Sequence, residues 1–391
     1  FFFIKIMAPT ALPLVDPLKG ISCHAWNADR SMCAVCPNDN TMIIYGNCRE
    51  TDHTKWKKLH TLDEHDLLIS AIDWSAATNL IVTCSHDRNA FVWTYSQEES
   101  TWKPSLVILR IDRAALDVKW SPDGRKFAVA SGAKCVPVCY FESEHDWWVS
   151  KMIKKHKSTV LRVAWHPNSQ MLATGSSDFK CRIFSAFVRD LDERQDSLNF
   201  EPKAFGEDVW EAGAYGWVDS VAWSPSGNVL GFSGHDSSMQ FVDFTSQGAD
   251  AQPQSIRFAP LPIDTGIFLS EKCYVGCGHD MNPLLFCLKP SGWEYVRMLE
   301  QPSEEKKPAT GPQKGSVAAA RALFQNKTTK GQDTASKSDK LKTTHESLIS
   351  CVCKMSTSGP CTKFSTSGTD GKLVIWSIDT MSLDMAALGL S

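Results

Sequence analysis

Residues 86–93 read HDRNAFVW, with His86, Asp87 and Arg88 in a row. Each is a residue type that transfers protons or stabilises charge in active sites. A kinase-like catalytic loop requires the order His-Arg-Asp, with an Asn five residues after the Asp, a Gly-rich loop and an ion-pairing Lys. Here the order is His-Asp-Arg and neither accompaniment is present, so a structural turn is the expectation. Cys33 and Cys36 form a CxxC. On a strand, residues three apart face opposite sides, and no second ligand pair follows at zinc-site spacing. A metal site is therefore not expected, and no cofactor is implied. Cys84, Cys135, Cys139, Cys181, Cys273 and Cys277 sit in apolar alternating runs. They read as small buried hydrophobes of a reducing compartment.

The elements that must position these residues form a repeat. Trp26, Trp74, Trp120, Trp165 and Trp223 each end a short run: CHAW, AIDW, DVKW, RVAW, SVAW. Thirteen residues after four of them stands an Asp (Asp39, Asp87, Asp178, Asp236), and after Trp120 the slot holds Ala133. Six residues beyond each slot come Tyr45, Trp93, Cys139, Phe184 and Val242. Two further units lack the first Trp but keep the rest, with Asp280 before Phe286 and Asp370 before Trp376. Periods of 40–50 residues indicate stacked or radial repeats. Each unit reads as three strands joined by Asp-, Asn-, Ser- and Gly-rich turns. A fourth strand often opens on Trp, as at Trp56, Trp102, Trp147 and Trp293. Seven units of four strands predict an all-β, seven-bladed WD-repeat β-propeller. His65 precedes Asp87 by 22 residues, His156 precedes Asp178 by 22, and His345 precedes Asp370 by 25. Each His is expected to bond its turn Asp, and Asp236 and Asp280 are expected to serve equivalent turns. The four tryptophans from Trp74 to Trp223 should be buried between blades.

Bulk properties agree with one large globular unit. The 391 residues are 42% hydrophobic and 22% charged, and the net charge is −3. That balance exerts no global pull on nucleic acid or on an anionic membrane. The opening FFFIKIM is too short to span a bilayer and lacks a signal-peptide cleavage pattern. Residues 1–10 read as a leader outside the fold, with Met7 a candidate start. Residues 11–391 read as a single propeller, and APTALPLVDPLKG can supply the outer strand that the last unit lacks, closing the ring. Pro13 and Pro17 are tolerable on such an edge strand.

Two spacings are long. Trp165 to Trp223 spans 58 residues, and Asp280 to Asp370 spans 90. The second excess lies at 300–344, between the sixth and seventh repeats, and its composition predicts disorder. Within it, SVAAARALFQNK (316–327) sets Val317, Ala320 and Phe324 at helical spacing with Leu323 alongside. That is one apolar stripe on a short helix, with Arg321 and Lys327 near its rim. Residues 304–342 carry nine Lys or Arg against four Asp or Glu. An apolar anchor in basic surroundings suits an acidic protein partner. A second candidate surface is ESEHDWWVSK (142–151). One of Trp147 and Trp148 must face away from its blade, and Lys154 and Lys155 are expected to lie close by.

Several stretches, namely ISCHAW, DRNAFVW, KPSLVILRIDRAA, KFAVASGAK, CYFESEHDWWVSK, DFKCRIFSAFV and FSTSGTDGKLVIW, resemble the WD-repeat subunit 1 family of the actin-related protein 2/3 complex. The resemblance runs from about Leu18 to Ile378 and includes the place of the insert. It implies a non-catalytic subunit of a complex that nucleates branched actin filaments, docked on the other subunits. It further implies contacts with nucleation-promoting factors and, through the insert helix, with the mother filament. Cytoplasm and cytoskeleton are the implied location, with the nucleus open, and neither membrane nor nucleic acid is an implied partner. The alternative is a different WD-repeat adaptor, such as a ubiquitin-ligase receptor or a histone-binding chaperone. An enzymatic propeller needs convergent carboxylates or a metal at the ring centre, whereas the polar residues here are expected to be absorbed by turns.

Overall fold

The computed structural model describes residues 8–50, 52–193, 203–300, 343–356 and 361–378. These form seven four-stranded antiparallel sheets, each a blade. Their first strands are Cys23–Trp26, Ile69–Trp74, Ala115–Trp120, Val160–Trp165, Val218–Trp223, Ile263–Ser270 and Ile349–Lys354. Each first strand contacts the next, and Ile349–Lys354 contacts Cys23–Trp26, so the circuit closes. The chain divides into two units, residues 300–343 and the remainder. The short helix expected at 316–327, with Val317, Arg321, Leu323, Phe324 and Lys327, lies outside the described residues.

The seventh blade is completed by Thr10–Pro13, which pairs with Lys372–Ser377 in the register Thr10 to Ile375 through Pro13 to Lys372. Leu12 of this strand is buried. Thr10, expected to lie outside the fold, is instead the first paired residue of this strand. Burial of the strand's inner face explains the closure, since an unpaired edge at the seam would expose both hydrogen-bonding groups and apolar surface.

The core lies between blades. Val82, Cys84 and Val92 of the second blade pack with Val118, Trp120 and Phe127 of the third. Met171, Ala173 and Ile183 of the fourth pack with Val221, Trp223 and Phe232 of the fifth. The repeating tryptophans sit in these seams and are buried. Trp165 Nε1 donates to the Lys119 carbonyl at 2.8 Å, and Trp223 Nε1 donates to the Ala164 carbonyl at 3.3 Å. Each thus binds the blade before its own. The long spacing after Trp165 falls inside the fourth blade, between Lys180–Ser185 and Asp208–Gly213. Asp192 of that excursion takes the buried ammonium of Lys126, which also donates to the Ala186 carbonyl. A buried Lys is tolerated only when paired in this way.

Candidate functional site

The opening motif is a turn. Arg88 N–H donates to the Ser85 carbonyl at 3.1 Å, closing a four-residue loop, and Arg88 itself is left-handed at φ 75°. This is the form of a three-residue hairpin loop with a bulge. The residue after the Asp slot is left-handed in the later blades too: Lys134, Phe179, Ser237, Met281 and Gly371. Six blades share one backbone solution, which a catalytic loop unique to one blade would not produce. Asp87 accepts from Asn89 N–H at 2.9 Å and bonds His65 Nδ1 at 2.7 Å. His65 Nε2 bonds Thr83 Oγ1 at 2.9 Å, and Trp93 Nε1 donates to the same oxygen at 3.0 Å. Blade seven repeats this Asp–His–Thr–Trp relay. Asp370 bonds His345 at 3.0 Å, His345 bonds Thr366 at 2.7 Å, and Trp376 donates to Thr366 at 2.8 Å.

The fourth blade overturns one expectation. His156 does not bond Asp178. The Arg182 guanidinium lies 3.0 and 2.8 Å from the two Asp178 oxygens and 2.6 Å from Glu211. Its planar fork outcompetes an imidazole for a carboxylate. His156 keeps only Thr174, at 3.0 Å, and its buried Nδ1 has no partner. Burial, then the charge of Arg182, hold His156 down to about 4. The fifth and sixth blades have no relay. Asp236 accepts from Ser238 at 2.6 Å and lies 3.3 Å from Arg257, while Asp280 accepts from Leu261 N–H at 2.6 Å.

Turns do not absorb every polar group. The first strands carry Asp73, Asp117, Lys119, Arg162, Asp219 and Asp264, a set that repeat-reading missed. Each is tied to a neighbour. Arg162 meets Asp264 at 2.6 Å across an intervening blade, and Asp219 meets His235 at 2.8 Å. Asp73 accepts from Trp120 N–H at 2.7 Å, and Asp117 accepts from Val163 N–H at 3.1 Å. Burial raises the pKa of Asp73 despite the opposing charge of Lys119. The ties of Asp73, Asp117 and Arg162 run between blades, whereas Asp219 and His235 belong to the same blade. The cysteines match expectation: all fourteen are free, and only Cys351 and Cys353 are less than fully buried. Burial pushes Cys139 up to about 12. Those two cysteines lie beside His24, a grouping that 327 residues of separation hid from the sequence.

The tryptophan pair divides as alternation requires. Trp148 packs in edge and tilted contacts with Trp120, Phe127 and Phe141. Trp147 is 60% exposed and donates to Glu142 at 3.0 Å. Lys154 and Lys155 are not beside it. Trp147 opens the strand Trp147–Ile153 and the lysines follow its far end, roughly 20 Å away at strand rise. The two candidate patches are therefore on opposite faces. The lysines join another group. Arg88, Arg110, Arg113, Lys134, Lys154, Lys155 and Lys157 are exposed on the turns of blades two and three and on the connections that follow those blades. Exposed carboxylates stand among and beside them: Asp112, Asp66, whose N–H donates to Asp87, and Asp208, 3.7 Å from the Lys155 ammonium. Arg110, Lys134 and Lys154 line a cavity of about 470 Å³ with Ile111 and Met152.

Repeated turns, Asp–His–Thr–Trp relays and a closed circuit of seven sheets define a WD-repeat β-propeller. The WD domain, G-beta repeat model matches residues 56–94 and 147–185. Actin-related protein 2/3 complex subunit 1B of Arabidopsis thaliana is 42% identical, covering 94% of this chain and 96% of that protein. Subunit 1A-B of Xenopus laevis is 42% identical over 93% and 95%. Subunit 1 of Schizosaccharomyces pombe is 37% identical over 91% and 96%. The chain belongs to the actin-related protein 2/3 complex subunit 1 family. No helix among the described residues is long and apolar enough to cross a membrane.

Proposed function

We propose that this chain is a non-catalytic propeller subunit of an actin-related protein 2/3 complex. In this role it docks on the other subunits and contributes to nucleation of branched actin filaments in the cytoplasmic cytoskeleton. The observation that carries the reading is identity of 42% over nearly the full length of a relative named as subunit 1. Two surfaces support partner binding. The basic arc from Arg88 to Lys157 suits an acidic segment of a nucleation-promoting factor, with steering that weakens as salt rises. Exposed Trp147, beside half-buried Trp148, offers an aromatic anchor of the kind enriched at interface centres.

The insert is assigned to filament contact. Val317, Leu323 and Phe324 supply the apolar anchor, and Arg321 and Lys327 supply charge. All seven four-stranded blades are complete from strands outside the insert. The test replaces 304–342 with a short Gly/Ser linker in the complex. Melting temperature and incorporation should be unchanged, while branch formation or branch lifetime falls; Phe324→Asp alone should reproduce most of that loss. Normal branching by the linker variant would remove the filament role. Failure of the wild-type chain to co-purify with an actin-related complex would remove the whole assignment.

A further inference from the structure

The seam where the ring closes brings together three donors that the assembly role does not use. Cys351 and Cys353 are two apart on Ile349–Lys354, so they project from the same face of the strand. Their sulfurs are 3.9 Å apart. His24 stands on Cys23–Trp26, the neighbouring first strand of blade one. One ring nitrogen of His24 and the two sulfurs lie within 4.8 Å of one another. In a tetrahedral zinc site with Zn–S of about 2.3 Å and Zn–N of about 2.0 Å, the sulfurs sit about 3.8 Å apart and each is about 3.6 Å from the nitrogen. The sulfur spacing already has that value, and the imidazole needs to approach by roughly 1 Å at most.

We infer that His24, Cys351 and Cys353 form a binding site for a thiophilic cation of the Zn²⁺ class, bridging blades one and seven. The surroundings match the outer shell of such a site. His24 is buried, and its two nitrogens lie 2.8 Å from Ser367 Oγ and 2.8 Å from Ser365 Oγ. A neutral imidazole donates from one nitrogen and accepts at the other. The accepting nitrogen becomes the ligand once its serine side chain rotates and takes Oγ off the lone-pair direction. The donating one keeps its serine, which fixes the ring as outer-shell partners of metal-bound histidines do. Trp26 Nε1 donates to Ser365 at 2.8 Å and orients that hydroxyl in turn. The two cysteines are intermediate in burial, and both thiols donate to the His24 carbonyl, at 3.6 and 3.2 Å, bonds that metal binding gives up. Binding is not a redox step. Two thiols lose their protons to solvent, two Zn–S bonds and one Zn–N bond form, and the ion sheds water.

Cys273 and Cys287 provide an internal control. Their sulfurs are also 3.9 Å apart, but no third donor joins them among the described residues. The test uses the full-length chain, stripped with a chelator and kept under a non-thiol reductant. Zn²⁺ titration should give one equivalent bound, about two protons released and a rise in Tm. Cys351→Ser and Cys353→Ser should each weaken binding by more than about 100-fold, while Cys273→Ser binds as the wild type does. Co²⁺ in the wild type should show thiolate-to-metal charge transfer and the intense d–d bands of a tetrahedral site. Should a serine variant fail to fold, the wild type still decides the matter: Zn²⁺ must protect Cys351 and Cys353 from alkylation, mapped by mass spectrometry. No bound equivalent, binding indifferent to both serine substitutions, or no protection of these two thiols overturns the site. None of these readouts depends on actin or on partner subunits, so they leave the assembly role untouched.

Discussion

Replacing Arg182 with methionine should change how the protein responds to acid, in a direction fixed by the fourth-blade geometry. In the wild type, His156 titrates at about 4 because it is buried and faces the Arg182 cation. Its ordinary value is about 6.5. A group depressed in the folded state contributes stability that is fully present above the ordinary value and is lost as pH falls through the folded one. The difference corresponds to about 3 kcal/mol, spread between pH 6.5 and pH 4. Arg182→Met removes the cation, and breaking a buried pair by deleting one partner costs about 3 kcal/mol at pH 8. Asp178 retains the Lys157 N–H at 2.9 Å, and Glu211 is exposed enough to be solvated. The freed carboxylate then faces His156 as Asp87 faces His65. His156 should rise part of the way toward the ordinary value, because burial, the larger cause, remains, and the stability gap between variant and wild type should narrow on going from pH 8 to pH 5. Urea unfolding followed by tryptophan emission at pH 8, 7, 6 and 5 measures the gap. Staying at or above pH 5 keeps wild-type Asp178 ionised: burial raises it, but the Lys157 N–H and Arg182 lower it further. A gap that stays constant or widens as pH falls would show that Arg182 is not what depresses His156.

Thr83→Val leaves both His65 Nε2 and Trp93 Nε1 without their acceptor and should lower stability by about 2–3 kcal/mol, read from the denaturation midpoint. Thr174→Val, which orphans His156 alone because Phe184 stands where the Trp would be, should cost about half as much. Arg88→Gly should preserve complex assembly and leave stability equal or up to about 1 kcal/mol higher, since a left-handed residue other than Gly is strained. Loss of fold or of assembly in that variant would revive a specific role for the opening His-Asp-Arg.

Strand and turn placement was legible because both are local. Alternation in CHAW, AIDW and RVAW sets which side chains enter a seam. The fixed interval from Trp to the turn Asp, kept in four units, marks the hairpin geometry, and seven repeats in all leave a ring as the way to bury both faces of every sheet. The His65–Asp87 bond followed from that spacing because both lie within one blade and its entering connection; its continuation to Thr83 and Trp93 appears only in the structure. Partner choice was not legible. Nothing in the interval from His156 to Asp178 signals that Arg182 will take the carboxylate, since that outcome is a competition between two donors converging on the same oxygens. Trp147 and Lys154 are close in sequence but sit at opposite ends of a strand, and strand rise carries them to opposite faces. Arg162 with Asp264, and His24 with Cys351 and Cys353, are neighbours only because the ring closes and brings separated first strands to one axis. Local periodicity decides what each segment becomes; contacts between segments exist only once closure has fixed their distances.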